Sequence, residues 1–149
     1  MERLVLIRHG SYADEDERIN DDGRKQMTLL AERLRELNGS SVLLLSSTAP
    51  RALDSAEVLS GLLEIPIEEH AILWSDIDHP MNFKKTLDLI RESGGRAQTL
   101  LVVTHLDYAK YFPGYFAQEE WAISIRSFDV WKGQAVILDC IQKTVQLLS

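Results

Sequence analysis

The chain has 149 residues, 45% of them hydrophobic, and is therefore long enough to bury a core; one domain over residues 1–149 is expected. Its formal net charge of −7 argues against a nucleic-acid-binding surface, which is usually basic. No apolar run reaches the length of a membrane span, and the first residues lack a signal-peptide pattern, so the sequence predicts a cytoplasmic protein without a membrane partner. Cys140 is the single cysteine and is expected to be a buried thiol.

Apolar runs alternate with helical patterns along the first half of the chain. Residues 4–7 form a run typical of a buried strand, and residues 22–37 repeat apolar side chains at helical spacing, with Asn38-Gly39 as the expected stop. A second strand-like run covers residues 42–45. The next helix is expected to begin at Pro50, because proline suits the first position of a helix.

The second half of the chain continues this alternation and then changes. A third helix is predicted from about residue 80 to residue 93, followed by a strand at residues 100–103 and a fourth helix after it. Residues 121–131 and 135–141 are predicted to form a hairpin. The sequence therefore predicts a three-layer α/β/α domain with a mostly parallel central sheet and an antiparallel C-terminal hairpin at one edge.

Residues that carry chemistry follow three of the predicted strands. Arg8 and His9 come directly after the first strand, Arg51 lies in the first turn of the helix after the second, and His105 follows the third. Because the carboxyl ends of parallel strands meet at one edge of a sheet, we expect these side chains to converge. The sequence therefore predicts one site that contains two arginines and two histidines.

The residue types at this site indicate a pocket for a tetrahedral oxyanion. Arginine binds phosphate through two parallel hydrogen bonds, and the helix N-terminus at Arg51 adds partial positive charge. His9 is the candidate nucleophile toward phosphorus, while Arg8, Arg51 and a protonated His105 would neutralise the phosphoryl oxygens. This charge balance requires no metal or other cofactor. A histidine metal site is disfavoured, because two arginines would repel the ion.

These motifs resemble those of the histidine phosphatase superfamily, which is also called phosphoglycerate mutase-like. Arg8-His9-Gly10 matches the first motif of that family. Residues 46–57 match the motif around the second arginine, with Asp54 and Ser55 in place of the usual Gln and Thr. The other matches are Gly23 and Gln26 in the first helix and residues 102–105 at the second histidine.

The resemblance implies both a fold and a set of roles. It implies a phosphoglycerate mutase-like domain in which His9 becomes phosphorylated, Arg8 and Arg51 bind the phosphoryl group, and His105 is the second histidine of the phosphate pocket. No cofactor is expected. A mutase is disfavoured, because the chain shows no second anion pocket for a bisphosphate.

The leaving-group acid is the part of the family pattern that this chain does not match clearly. Most members carry an acidic residue after the second helix, and residues 68–79 offer no position that is clearly equivalent. Asp76 is the first candidate, followed by Asp78 and Glu69, and the alternative is that all three are solvated loop carboxylates. Because an alkoxide needs an acid more than a departing imidazole does, a weak acid position favours a phosphoramidate substrate.

The chain most resembles the small bacterial phosphohistidine phosphatase branch of the family. His105 is followed by Leu106, as in that branch, and the length leaves no room for the large cap of bigger members. A shallow pocket suits a side chain on another protein. The resemblance therefore implies a phosphatase that acts on phosphohistidine in a phosphorylated protein. Two alternatives are a phosphomonoesterase acting on a small phosphate ester and a non-catalytic phosphate-binding module.

Other polar residues have no assigned role in the site, and for two of these features the sequence leaves two interpretations open. The acidic run at residues 14–17 is interpreted as a solvated turn; if it lines the pocket, it would disfavour highly anionic substrates or recruit a basic partner. Asp107 either keeps His105 protonated or caps a helix. His70 and His79 are interpreted as surface residues.

Overall fold

The computed structural model describes residues 1–37 and 41–148, and six strands within them form one mixed sheet in the order β3-β2-β4-β1-β5-β6. The first four strands pair in parallel, and β5 and β6 pair antiparallel at one edge. This confirms the mostly parallel sheet with a C-terminal hairpin. The strands are β1 (Arg3–Arg8), β2 (Val42–Ser46), β3 (Ile67–Glu69), β4 (Thr99–Thr104), β5 (Ala135–Asp139) and β6 (Thr144–Leu148).

Four helices of the described residues connect these strands, and none of them is long and apolar enough to cross a membrane. The third begins at Phe83 and not near residue 80, because the side chain of Asn82 caps it by accepting a hydrogen bond from the backbone N–H of Lys85 (3.0 Å). The predicted stop at Asn38-Gly39 lies outside the described residues. The helices are α1 (Asp21–Leu37), α2 (Pro50–Leu63), α3 (Phe83–Gly94) and α4 (Leu106–Trp121).

Helices cover both faces of the sheet, which confirms the three-layer architecture. Alternate residues of a strand point to opposite faces, so Leu4 and Leu6 of β1 pack with α3 and α4, whereas Val5 and Ile7 pack with α1 and α2. All six residues of β4 are buried. Burial on both faces explains why the central strands are continuous apolar runs without alternation.

The hairpin predicted from residues 121–131 and 135–141 is wrong in its first strand. Trp121 is the last residue of α4, and residues 122–131 form no strand. The predicted turn at Lys132-Gly133 does exist, but it leads from this irregular segment into β5, where Gly133 adopts a positive φ of 77°. The position beside β5 is taken by β6, and the turn between them is stabilised by Asp139, whose carboxylate accepts hydrogen bonds from the backbone after it.

Candidate active site

The structure brings the two predicted arginines and two predicted histidines together at the carboxyl edge of the parallel strands. Arg8 ends β1 and His9 follows it, Arg51 is the second residue of α2, and His105 lies between β4 and α4. The rings of His9 and His105 have centroids 5.3 Å apart, and Arg51 Nη2 lies 3.4 Å from His105 Nδ1. The N-termini of α2 and α4 therefore add partial positive charge at the point where these side chains meet.

His9 is oriented as a neutral imidazole with one nitrogen available. Its Nδ1 lies 2.9 Å from the carbonyl oxygen of Gly10, and because a carbonyl can only accept, Nδ1 carries the proton. Burial lowers the pKa of His9 to about 4; the hydrogen bond to Gly10 opposes this effect, and the charges of Arg51 and Arg8 reinforce it. At neutral pH, Nε2 therefore holds a free lone pair, as a nucleophile requires.

His105 is also neutral as it is positioned here. Burial lowers its pKa to about 3, with further lowering from His9 and Arg51. Its Nδ1 faces the guanidinium of Arg51, which can only donate, so the proton lies on Nε2 and is donated to Ser47 Oγ at 2.8 Å. The interpretation that Asp107 keeps His105 protonated is wrong, because Asp107 acts electrostatically on Arg8, where it opposes the lowering of the pKa by burial.

Both arginines present donors that the described residues leave unused. The Nε atoms of Arg8 and Arg51 are buried and have no hydrogen-bond partner among the described residues. Arg8 is held in place by Nη1, which donates to the carbonyl of Val130 at 2.9 Å. Buried donors are normally paired, so two such groups whose charges both act on His9 indicate a site whose natural acceptor is an anion.

The loop after His9 is held by hydrogen bonds from α1 and α2. Ser55 Oγ accepts from the backbone N–H of Gly10 (2.9 Å) and donates to the carbonyl of Arg51 (2.8 Å), so serine retains the hydroxyl of the family's usual threonine. Gln26 pairs with Ser11 twice, through the backbone N–H of Ser11 (2.9 Å) and through its hydroxyl (3.0 Å). These contacts fix the backbone that orients the nucleophile candidate.

Gly23 permits α1 to approach this loop closely. A Cβ atom at Gly23 would lie 2.2 Å from the carbonyl oxygen of Ser11, which is far inside van der Waals contact. We expect Gly23→Ala to lower the free energy of unfolding by about 2–3 kcal/mol, as overpacking does. Gly61→Ala in α2 is the matched control, because nothing lies within 4 Å of its Cβ position, and it should stabilise by about 0.5–1 kcal/mol. Urea unfolding measures both, and equal effects would contradict the close approach.

Asp76 lies at the rim of the site, whereas Asp78 and Glu69 are exposed. The Oδ2 atom of Asp76 is 3.8 Å from Arg51 Nη2. Burial raises the pKa of Asp76, but hydrogen bonds from His79, from Trp74 and from the backbone N–H of Asp78 outweigh burial and lower the pKa to about 2. Asp76 is therefore ionised at neutral pH, so as positioned here it holds no proton for a leaving group.

Several residues near the site were not predicted from the sequence, because loops bring them there. His79 is not an isolated surface residue: it donates from Nδ1 to Asp76 (2.7 Å) and stacks on Trp74 at a centroid distance of 4.1 Å. Trp74 in turn lies nearly parallel to His105, at 6.4 Å. The i,i+3 spacing of Asp76 and His79 was the only sequence signal, and it is a weak one. His70, by contrast, pairs with Glu68, with 3.6 Å between Nε2 and Oε1.

Tyr12 and Lys132 also lie at the rim of the site. The ring of Tyr12 contacts His9 edge-on at a centroid distance of 5.3 Å, and the guanidinium of Arg51 lies 5.2 Å from the same ring. Lys132 Nζ is also 5.2 Å from the Tyr12 ring, and its charge contributes to the lowered pKa of His9. The rim thus combines aromatic rings with charges of both signs.

Solved structures share this fold over nearly the whole chain. The protein histidine phosphatase SixA, solved with tungstate, matches with a TM-score of 0.73 at 17% identity over 99% of this chain and 94% of that one. SixA from Agrobacterium tumefaciens matches with a TM-score of 0.70 at 18% identity, over 99% and 96%. A mycobacterial glucosyl-3-phosphoglycerate phosphatase matches with a TM-score of 0.65 at 13% identity, over 99% and 98%.

Comparison at the sequence level agrees with the fold. Residues 4–75 match the model of the histidine phosphatase superfamily (branch 1), a segment that contains Arg8, His9 and Arg51. No curated protein matches the sequence significantly. The family match over the two motifs, the phosphoglycerate mutase-like fold and the placement of His105 beside His9 agree with one another. Over residues 4–75 the chain is therefore similar to the histidine phosphatase superfamily (branch 1).

Proposed function

We propose that this protein is a phosphatase that transfers a phosphoryl group to His9 and then to water, and that its substrate is phosphohistidine on a protein. The observation that carries the proposal is the pairing of a neutral imidazole with two buried arginine Nε donors that lack acceptors among the described residues. A phosphoryl group offers oxygens to those donors and an electrophilic phosphorus to the imidazole.

In the first step, Nε2 of His9 attacks phosphorus, and the bond from phosphorus to the substrate's nitrogen breaks. The electron pair of that bond leaves with the substrate imidazole. Arg8 and Arg51 hold the phosphoryl oxygens during the transfer, and binding of this anion raises the pKa of His105 toward its ordinary range, so that it adds a further donor. In the second step, water attacks the phosphohistidine at position 9, releases inorganic phosphate and restores the imidazole.

The rim supports a nitrogen leaving group over an alkoxide. Departure of an alkoxide requires a proton from a positioned acid, and Asp76 is already ionised, with a pKa of about 2. A phosphohistidine ring takes a proton on its other nitrogen near neutral pH, so that it leaves as a neutral imidazole without an acid at the rim. The electrostatics of Asp76 therefore favour a phosphoramidate.

The surroundings of Arg8 support a substrate carried on a macromolecule. Two cavities, with volumes of about 220 and 260 Å³, adjoin Arg8 and share Trp131, which is 71% exposed. A protein segment has room to lie across these cavities while its phosphorylated side chain enters the site. SixA, named a protein histidine phosphatase, has this fold and was solved with tungstate, a tetrahedral oxyanion. A phosphatase of a sugar-phosphate ester shares the fold too, so the choice rests on the site.

The test is single-turnover rapid quench with a ³²P-phosphohistidine protein and, in parallel, with para-nitrophenyl phosphate. We expect label to appear transiently on this protein and the phosphohistidine substrate to react faster. Faster turnover of the ester would instead identify a small-molecule phosphomonoesterase. Phosphate binding without label or turnover on either substrate would identify a non-catalytic binding module.

The protonation states of the two site histidines give a separate prediction. Their pKa values are lowered from 6.5 to about 4 for His9 and about 3 for His105, so both should stay neutral when the pH falls to 5. The unfolded chain binds protons near pH 6.5 and the folded chain does not, so the free energy of unfolding should decrease as the pH is lowered from about 6.5 to 4. Nitrogen-15 NMR of the histidine rings, assigned with His9→Gln and His105→Gln, measures the titration midpoint of each ring. A midpoint near 6.5 for either ring would contradict the described environment.

A further inference from the structure

The acidic run at residues 14–17 sends one carboxylate to the site. Glu17 Oε1 lies 3.4 Å from Nη1 of Arg51, whereas Asp14, Glu15 and Asp16 are exposed. The side chain of Arg51 is 8% exposed and that of Glu17 is 51% exposed, so Glu17 approaches the buried guanidinium from the solvent side. Glu17 thus stands at the mouth of the site, next to an arginine assigned to the phosphoryl group.

The loop that carries Glu17 is fixed at its base. Tyr12 and Ile19 pair as an antiparallel bridge, and the backbone N–H of Ala13 donates to the carbonyl of Arg18 at 2.9 Å. The backbone N–H of Glu17 donates to Ala13, also at 2.9 Å, and Glu17 has a positive φ of 58°. This closed loop aims the Glu17 side chain toward Arg51.

An ion pair between the exposed Arg18 and the buried Asp54 ties the same loop to α2. Arg18 contacts both carboxylate oxygens of Asp54, from Nε to Oδ2 and from Nη2 to Oδ1, each at 2.6 Å. Asp54 is 4% exposed and also accepts from the backbone N–H of Ile19 at 3.1 Å. Asp54 is one of the positions at which the chain departs from the family motif, and the structure shows what the carboxylate does there.

We propose that Glu17 is a specificity-determining residue: held over Arg51 by the Arg18–Asp54 ion pair, its carboxylate competes with a phosphoryl group for that guanidinium. The inference rests on the proposed function, since it takes Arg51 to bind the phosphoryl group. Every phosphate dianion loses affinity through this competition, and a ligand with a further anionic group next to the phosphoryl group loses more. Glu17 therefore selects phosphoryl groups attached to a neutral or cationic substituent and favours release of inorganic phosphate.

Isothermal titration calorimetry with inorganic phosphate, at low salt and pH 7.5, tests the competition directly. We expect Glu17→Gln to lower the Kd about three- to fivefold, which is the order of one partly exposed ion pair. Glu15→Gln removes the same charge from the same loop without touching Arg51 and should change the Kd less than twofold. The difference between the two variants should shrink at high salt, because the charges are screened.

An equal Kd for the two variants, or weaker phosphate binding by Glu17→Gln, would overturn the inference, because Glu17 would then not compete for Arg51. Such a result leaves the proposed function standing as long as the wild type binds phosphate. If neither wild type nor Glu17→Gln binds phosphate, the oxyanion site fails, and the proposed function fails with it. The calorimetry does not depend on turnover, so the two failures are distinguishable.

The role of the ion pair is tested by Arg18→Ala and by the double variant Arg18→Ala/Glu17→Gln. Release of the loop should lower the Kd for phosphate in the same direction as Glu17→Gln. The double variant should bind phosphate as Glu17→Gln does, because both changes remove one interaction. Additive effects, or weaker binding by Arg18→Ala, would contradict a positioning role for the ion pair. Thermal unfolding of Arg18→Ala checks that the variant is folded.

Discussion

Replacing His9 with alanine is expected to abolish phosphoryl transfer, with kcat lower by about 10⁴-fold or more and no label on the protein. The reason is that, of the ring nitrogens of His9 and His105, only Nε2 of His9 has no hydrogen-bond partner among the described residues, and under the proposed function it attacks phosphorus. Nδ1 of His105 faces Arg51 and its Nε2 donates to Ser47, so His105 does not replace it. Rapid quench with ³²P-phosphohistidine protein, followed by base-stable and acid-labile counting of bound label, measures the effect.

The variant should still bind the oxyanion, which separates chemistry from folding. The donors of Arg8 and Arg51 do not depend on the His9 ring, so the Kd for inorganic phosphate should stay within about threefold of the wild type. The free energy of unfolding should fall only modestly, because the His9 ring packs on Tyr12 and His105 in T-shaped contacts, with centroid distances of 5.3 Å, and not within the apolar core. Label on His9→Ala, or turnover close to wild type, would show that another residue is the nucleophile.

The convergence of these residues was predictable because it follows from sheet topology. Arg8, His9 and His105 each follow a buried apolar run, and parallel strands place their carboxyl ends at one edge whatever the loops do. Pro50 marked the start of α2 and so placed Arg51. Local patterns and the rules of parallel sheets were therefore enough to predict the core of the fold and the centre of the site.

The rim of the site was not predictable, because it depends on loop conformation. Glu17, Trp74 and His79 reach the site through turns whose backbone no sequence period determines. The C-terminal hairpin failed for a related reason: residues 122–131 have the composition of a strand, but β6 occupies the available edge of β5. Which segment pairs at an edge is decided by competition across the whole chain.

The protonation state of His105 was also beyond the sequence. An expectation of a protonated ring came from the nearby Asp107, whereas the structure shows a ring that is 3% exposed and lies beside His9 and Arg51. Burial and like charges both disfavour the imidazolium. Proximity along the chain therefore gave the wrong electrostatic partner, because Asp107 acts on Arg8 from the first turn of α4.

Arg51→Ala is expected to lower kcat/KM by about 10³-fold, the usual scale for loss of a cation that stabilises charge in phosphoryl transfer. Arg51→Lys should recover only part of this, because an ammonium keeps the charge but not the two parallel hydrogen bonds of a guanidinium. Arg91→Ala is the matched control: Arg91 is 54% exposed and pairs with Glu120 in an ion pair of 2.6 Å, so its loss should leave kcat/KM unchanged. Steady-state kinetics with phosphohistidine protein measure all three variants.

Arg51→Ala should also change the pKa values of the two site histidines, which gives a second measurement that does not depend on activity. Arg51 is among the causes that lower the pKa values of both His9 and His105, so its removal should raise both midpoints in the NMR titration. Burial is the larger cause for each ring, so the midpoints should rise only part of the way toward 6.5. Lost activity with unchanged titration midpoints of His9 and His105 would contradict the proximity of Arg51 to the two rings. Raised midpoints with intact activity would show that its charge acts on the histidines but not on the phosphoryl group.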